Sequence, residues 1–235
     1  MHKETGILMT QANSQATIEG RKTMTRRLIT PQPKSTWTEI MPVVETGWNT
    51  SLFNFYNPND FDDGDDRRCP YGQVGDLLYL KEAHYRYGYW LHDGLTKTGK
   101  QKWRFHPATT DHSETNFAYE TNPTMVIRPD NFRMIGWYKR SPLFMSKKYA
   151  RYWYKITGIK AERVQDISWA DLCAEGWLAS FDEAERVLPF GSLNEQWEAY
   201  HLWFPKLWDS INAKRGHSWE KNDWVWVMSY YKEEM

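Results

Sequence analysis

The sequence predicts an α+β fold, on three observations. Short helix-like runs open behind good capping residues, at Thr10, Ser168 and Ser192. Short runs rich in branched and aromatic residues fall between them, at 77–81, 152–159 and 224–230, and read as strands. No repeat or low-complexity segment imposes another architecture.

Taken in order, residues 7–9 are a brief apolar stretch. Thr10 caps a helix running from Gln11 to Glu19, with Ala12, Ala16 and Ile18 as a weak buried stripe. Gly20 stands just past its C-terminus, where the backbone must turn left-handed. Residues 31–68 carry Pro, Asn, Gly and Asp, and read as a long excursion with little regular structure. Its acidic cluster at 60–66 reads as a solvated tip. Gly75-Asp76 is a turn before the strand at 77–81, and Glu82 and His84 leave that strand on one face. Residues 85–135 read as strand fragments and loops, with Tyr85, Tyr87 and Tyr89 alternating as in a half-buried strand. Ser168 caps a helix ending at Gly176, with Asp171 in place of the usual Glu or Gln of a capping box. Ser192-Leu193-Asn194-Glu195 is a full capping box for another helix, which Pro205 is expected to interrupt and restart at Leu207. The strand at 224–230 closes the chain.

Lys and Arg total 30 and Asp and Glu total 30, so a globally basic nucleic-acid binder is not indicated, although local patches remain open. Many of the 14 Trp and 14 Tyr sit beside charge or Pro and cannot all be core; rings with polar tips suit a planar ligand, while a core built on Trp in place of Leu accounts for most of them. Cys69 and Cys173 lie far apart without zinc-ligand spacing and read as free thiols in a reducing compartment; no metal or cofactor is expected. No apolar run is long enough to cross a membrane and no signal peptide is visible, so a cytoplasmic location is expected.

The stretch Gly20-Arg21-Lys22-Thr23-Met24-Thr25-Arg26-Arg27 gathers four cations and two hydroxyls. Strand alternation places Lys22, Met24 and Arg26 on one face and Thr23, Thr25 and Arg27 on the other. Beside a cleft, such a run offers charge and donors to an anion or nucleotide. On an open surface it is a solvated basic loop. A second basic-aromatic patch interleaves Lys147, Lys148 and Arg151 with Tyr149, Tyr152 and Trp153, a combination able to hold a phosphate backbone and stack a base. Glu82 and His84 suit ligand hydrogen bonding or form a structural couple. Glu175 sits against the macrodipole at a helix C-terminus, and a residue that breaks a local rule is a candidate for function.

The chain resembles the ASCH domain family of the PUA-like superfamily, in a phage- and prophage-type branch. The resemblance rests on the segment 20–27, on Cys69-Pro70-Tyr71-Gly72-Gln73-Val74-Gly75-Asp76, on Val164-Gln165-Asp166-Ile167-Ser168 through Ala174-Glu175-Gly176, and on Leu207-Trp208-Asp209-Ser210-Ile211-Asn212 with Trp224-Val225-Trp226-Val227. It implies a single domain over 1–235, a PUA-like small β-barrel flanked by helices, with insertions at about 36–66, 85–135 and 178–192. It also implies a cleft beside the barrel that takes RNA or a modified base. One branch of the family hydrolyses the acetyl amide of acetylated cytidine, and its site carries over to Lys22, Thr25 and Glu175. This chain is about twice the size of those hydrolases.

Three functions follow. The cleft binds RNA, a nucleotide or a modified nucleoside, with Arg21, Lys22, Thr23, Arg26, Arg27, Glu82, Lys147 and Arg151 as contacts. Alternatively, the protein is an amidohydrolase on modified cytidine, with Lys22 as base, Thr25 as nucleophile or water-positioning hydroxyl, and Glu175 as proton shuttle. Or it is a non-catalytic phage accessory protein that binds a host factor in the host cytoplasm.

Overall fold

One strand, β12 (Trp224–Glu233), is central to the main sheet, and its residues 224–228 are buried on both faces. Trp224, Trp226, Met228 and Tyr230 enter one apolar cluster, while Val225 and Val227 enter another. A central strand covered on both sides needs an unbroken apolar run, and Trp224-Val225-Trp226-Val227-Met228 supplies it.

The computed structural model describes residues 2–43, 51–108, 116–120, 134–177 and 193–234. The chain forms two compact units: Met1–Leu80 with Arg151–Met235, and Lys81–Ala150. The second lies within the sequence of the first and contains the 85–135 span expected as an insertion.

In the first unit, elements are numbered in chain order. β1 (Glu4–Ile7), β6 (Leu77–Leu80), β11 (Trp153–Arg163), β12 and β2 (Met24–Leu28) form one sheet in that order. β1 pairs with β6 in parallel and the remaining pairs are antiparallel. Among the described residues this path is open, with β1 and β2 at its edges. The helices are α1 (Gln11–Ile18), α2 (Trp169–Ala174), α3 (Leu193–Glu198) and α4 (Phe204–Asn212). Strands and helices thus combine in an α+β arrangement. No described helix is long and apolar enough to cross a membrane.

Several sequence readings hold. Thr10 caps α1 by accepting from the Asn13 N–H, and Ser168 caps α2 by accepting from the Asp171 N–H. Gly20 has φ +75°. The Gly20 N–H donates to Thr17 and the Arg21 N–H to Ala16, the paired bonds of a Schellman ending. Cys69 and Cys173 are free, and burial pushes the Cys69 thiol up to about 11.

Other readings are corrected. The described part of 31–68 is more regular than expected: β3 (Glu39–Pro42), β4 (Leu52–Asn57) and β5 (Asp60–Arg68) form an antiparallel sheet. Phe53 and Phe55 anchor it against Trp226 and Trp224, with Phe55 edge-on to Trp224 at 5.2 Å. The acidic cluster is strand β5, not a tip. Among the described residues it pairs only with β4, and its aspartates other than the half-buried Asp63 are exposed, a charge pattern that keeps an edge strand from adding another chain. Pro205 does not break its helix. A π-helical turn at Ala199–Trp203 precedes it and α4 continues through it, because the wider turn accommodates a residue without an N–H. The span 178–192, with the cap expected at Ser192, lies outside the described residues.

The second unit is built on β7 (His84–Leu95), which pairs with β10 (Gly136–Arg140), β8 (Gln101–Pro107) and the short β9 (Phe117–Ala118). His84, Gly88 and Tyr138 are buried on one face. Gly88 is required there: a Cβ at that position would lie 2.1 Å from the His106 carbonyl oxygen.

These two glycines separate conformational strain from collision. Gly20→Ala meets nothing within 4 Å and carries only the left-handed backbone penalty, about 1–2 kcal/mol. Gly88→Ala forces backbone apart and costs about as much as overpacking, 1–3 kcal/mol, with local loss of β7–β8 pairing. Urea unfolding checks both, and amide exchange should show lost protection at β7 and β8 for Gly88→Ala alone.

Candidate functional site

The basic segment is fixed by its backbone before its side chains act. The Lys22 N–H joins that of Arg21 on the Ala16 carbonyl, so the chain leaves α1 in a tight reversal. The Thr23 N–H donates to Ala174 O at the end of α2, and Thr23 O accepts from the Tyr230 N–H of β12. Residues 22–23 are thereby pinned between α2 and the central strand. This brings Glu175, the C-cap of α2, onto Lys22 across 153 residues of sequence.

Lys22 is only 2% exposed. Its Nζ donates to Glu175 Oε2 in a very short contact and to the Glu175 carbonyl oxygen at 2.9 Å. Burial pushes the Lys22 ammonium below the ordinary lysine value, with Glu175 opposing and Arg27 and Arg26 adding to the depression. The ammonium is fully enclosed and shares the Glu175 carboxylate with Arg26, so burial outweighs the pairing.

Arg26 sits in a basket of acids. Its guanidinium reaches Glu162 at 2.5 Å, Asp171 at 2.6 Å and Glu175 at 3.1 Å. Lys160 closes the cluster on Glu162 at 2.8 Å and Asp171 at 2.9 Å. Register explains the convergence: Arg26 of β2 and Lys160 of β11 flank Val227 of β12, one on each side, so they share a sheet face. Burial works against the Arg26 cation, but Glu175, Glu162 and Asp171 outweigh it and hold its pKa above the usual value. Burial alone would raise the Asp171 carboxyl; Lys160 and Arg26 hold it below the usual carboxylate range.

Beside this cluster lies a cavity of about 610 Å³, within the range of small-molecule sites. Lys22, Thr25, Arg26, Arg27 and Glu175 line it. Apolar walls come from Leu8 and Met9 before α1, from Leu28, and from Phe204, Leu207 and Trp208 of α4. Tyr71, Asn13, Asn212 and Arg215 add polar edges. The cavity wraps the edge of β2, which is why residues from both faces of that strand reach it.

Charge is unevenly satisfied there. Lys22 and Arg26 are neutralised by carboxylates. Arg27 donates from Nη2 to Leu8 O at 2.5 Å, its buried Nε has no partner, and it has no carboxylate partner among the described residues. Arg215 is held by Asn212 and likewise has none. The Thr25 hydroxyl has no hydrogen-bond partner among the described residues.

The site expectations thus divide. Lys22, Thr25, Arg26, Arg27 and Glu175 come together. Arg21 and Thr23 do not line the cavity: Arg21 pairs with Glu19, and Thr23 contributes its backbone. Lys22 and Arg26 are not free phosphate contacts, because buried carboxylates already hold them. The alternation drawn through residues 22–27 begins only at Met24, where β2 starts. Glu82 and Lys147 belong to the second unit and Arg151 to the first, so the proposed patch at 147–153 is divided between them. Tyr149 is stacked on Phe117 at 3.8 Å with Arg86 over its ring. His84 is buried, donates from Nδ1 to the Glu82 main-chain carbonyl at 3.1 Å, and has its pKa lowered by burial, which gives it a structural role.

Sequence reasoning missed Lys160, Glu162 and Asp171. The first two alternate on β11, a legible signal once a charged sheet face is sought. Asp171 stands at the capping-box position, yet its carboxylate reaches Arg26 and Lys160 instead. Arg215 left no signal. Among the described residues no group of three or more His, Cys, Asp and Glu is gathered for a metal ion, and the acidic trio around Arg26 is filled by cations.

No family model, curated protein or solved structure matches the chain.

The cluster makes a stability prediction. Glu175→Gln leaves Lys22 and part of Arg26 buried without their charge partner and costs about 3–5 kcal/mol in urea unfolding. Adding Lys22→Met to that variant recovers part of the loss. A double variant less stable than Glu175→Gln would contradict the pairing.

Proposed function

We propose that the cavity binds a modified nucleobase, as a nucleoside or within RNA, and hydrolyses an acyl amide on its exocyclic nitrogen, as in N4-acetylcytidine. The observation that carries the reading is the convergence of Lys22, Thr25 and Glu175 on one cavity, with no partner for the Thr25 hydroxyl among the described residues. The similarity of segment 20–27 and the α2 ending to ASCH proteins supports the substrate class, and with it a PUA-like ancestry for the sheet.

Neutralisation favours chemistry over phosphate gripping for Lys22 and Arg26. An ion-paired, enclosed lysine is a poor anchor for an external anion, and burial, by lowering its pKa below the ordinary lysine value, makes its amine easier to free as a proton acceptor. In the proposed reaction, the Thr25 oxygen, or a water held by it, adds to the acyl carbon. The proton passes to the neutral Lys22 amine. The C–N bond then breaks, and the proton returns through Lys22 and Glu175 to the leaving exocyclic nitrogen. The products are the free amino base and the carboxylic acid; an acyl-Thr25 intermediate takes one water to reach them. Trp208, Phe204 and Tyr71 supply ring surface for the base. Arg27 and Arg215 supply the cations that a nucleotide phosphate requires.

A second reading, binding without turnover, is favoured by one feature: the Lys22–Glu175 contact is complete without a ligand.

Incubation of the protein with a panel of acylated and otherwise modified nucleosides, followed by mass analysis, tests the proposal. Loss of the acyl mass is expected, and kcat falls about 10²- to 10⁴-fold in Thr25→Val and Lys22→Met. Because the Lys22 pKa is lowered, its proton-accepting form grows as pH rises through that lowered value. The kcat/KM profile should therefore climb and level off below pH 10.5, the ordinary lysine value. Binding by calorimetry without any mass change in a folded sample selects the second reading. Neither binding nor turnover defeats both.

A further inference from the structure

We propose that the inserted unit Lys81–Ala150 is a binding platform for single-stranded nucleic acid, carried on the face of its sheet opposite its own core. This rests on observations independent of the cavity.

The first observation is charge. Residues 81–150 hold 12 Lys and Arg against 6 Asp and Glu, a net +6, while the rest of the chain holds 18 against 24. The zero net charge of the whole protein conceals a basic unit inserted into an acidic one. Polyanions respond to local excess, not to the sum over the chain.

The second is where the rings point. In antiparallel sheets, directly opposed residues lie on one face. The core face carries the buried His84, Gly88 and Tyr138, with Trp90 and Phe105 packed against Arg140 at 4.6 and 4.7 Å. The other face carries Tyr85, Tyr87 and Tyr89 from β7, Trp137 from β10 and His106 from β8. None of these five is buried. Tyr87 and Trp137 meet edge-to-face at 5.6 Å, and Tyr89 stacks on His106 at 5.6 Å.

The third is the placement of cations among those rings. Tyr85 is directly opposite Lys139, and the exposed Leu91 is directly opposite Arg104. Among the described residues, Asp93 alone answers both Lys102 and Arg104, at 3.0 and 3.1 Å. Lys139 has no ion-pair partner among the described residues.

Alternate residues on a strand stand about 6.7 Å apart on one face, so a file of rings offers successive stacking positions. Every base has a stackable face, and flanking cations take the phosphates. A duplex hides its base faces and could use only the charge. An anionic membrane would likewise use only the charge and would favour aliphatic side chains over a file of tyrosines. The arrangement therefore fits a single strand.

The test uses the full chain and a short fluorescein-labelled oligouridylate, with anisotropy followed as salt is raised. Binding is expected to fall steeply with salt. Arg104→Glu with Lys139→Glu, both exposed positions, should weaken binding at least tenfold at low salt and reduce the salt slope by roughly one to two. Trp137→Leu should weaken binding about five- to hundredfold with the slope unchanged. Thermal melting confirms that each variant is folded. Thr25→Val should leave the oligouridylate curve as it was, so failure of the cavity reading does not touch this one. The proposal is overturned if the parent protein does not bind oligouridylate, or if both charge reversal and Trp137→Leu bind as the parent does. It is also overturned if phosphatidylserine vesicles capture the protein and oligouridylate does not compete.

Discussion

The contact between the Lys22 ammonium and the Glu175 carboxylate constrains the first unit more than any other interaction. Both groups are almost fully enclosed. Neither is tolerable there alone, because an unpaired charge in an apolar interior is far costlier than a paired one. The start of β2 and the end of α2 must therefore meet. The backbone bond from Thr23 to Ala174 is the same junction made in peptide groups. Arg26 extends it, since Glu175 also faces that guanidinium, which in turn gathers Glu162, Asp171 and Lys160. A network of this kind is worth less as net stability than as specification: only one arrangement of strand, helix and sheet satisfies every charge.

The cavity follows from that arrangement. β2 is an edge strand, so one flank is paired with β12 and the other is open to the hollow between α1 and α4. Charges that the network satisfies line the hollow next to groups that it does not, Arg27, Arg215 and the Thr25 hydroxyl. A partly apolar hollow with a few converging polar groups has the composition of a small-molecule site.

The inserted unit obeys a different logic. Its rings divide between a core face, where they surround Arg140, and an outer face, where they remain partly exposed. The chain as a whole is neutral only because two units of opposite sign share it. Aromatic abundance, which first reads as one property of the sequence, has two separate causes: tryptophan and phenylalanine filling the core around β12, and tyrosines facing outward from β7.

By itself the sequence determined what depends on short range. Thr10 and Ser168 as caps, Gly20 and Gly176 as helix endings, and the strands read at 77–81 and 224–230, observed at 77–80 and 224–233, are set by neighbours a few residues away, so their signals survive in one dimension. The residues that line the cavity from segment 20–27 were also legible, as was the anomaly of Glu175. The tertiary structure decided the rest, because it concerns partners far apart in the chain. It showed that Lys22 and Arg26 are neutralised by acids at 162, 171 and 175 and so differ from Arg27, although all three look alike as cations in a row. It turned an aspartate-rich stretch into an exposed edge strand, anchored by Phe53 and Phe55 on a neighbour that the local pattern does not reveal. Local physics fixes how a segment bends; only the fold decides which charge is already answered.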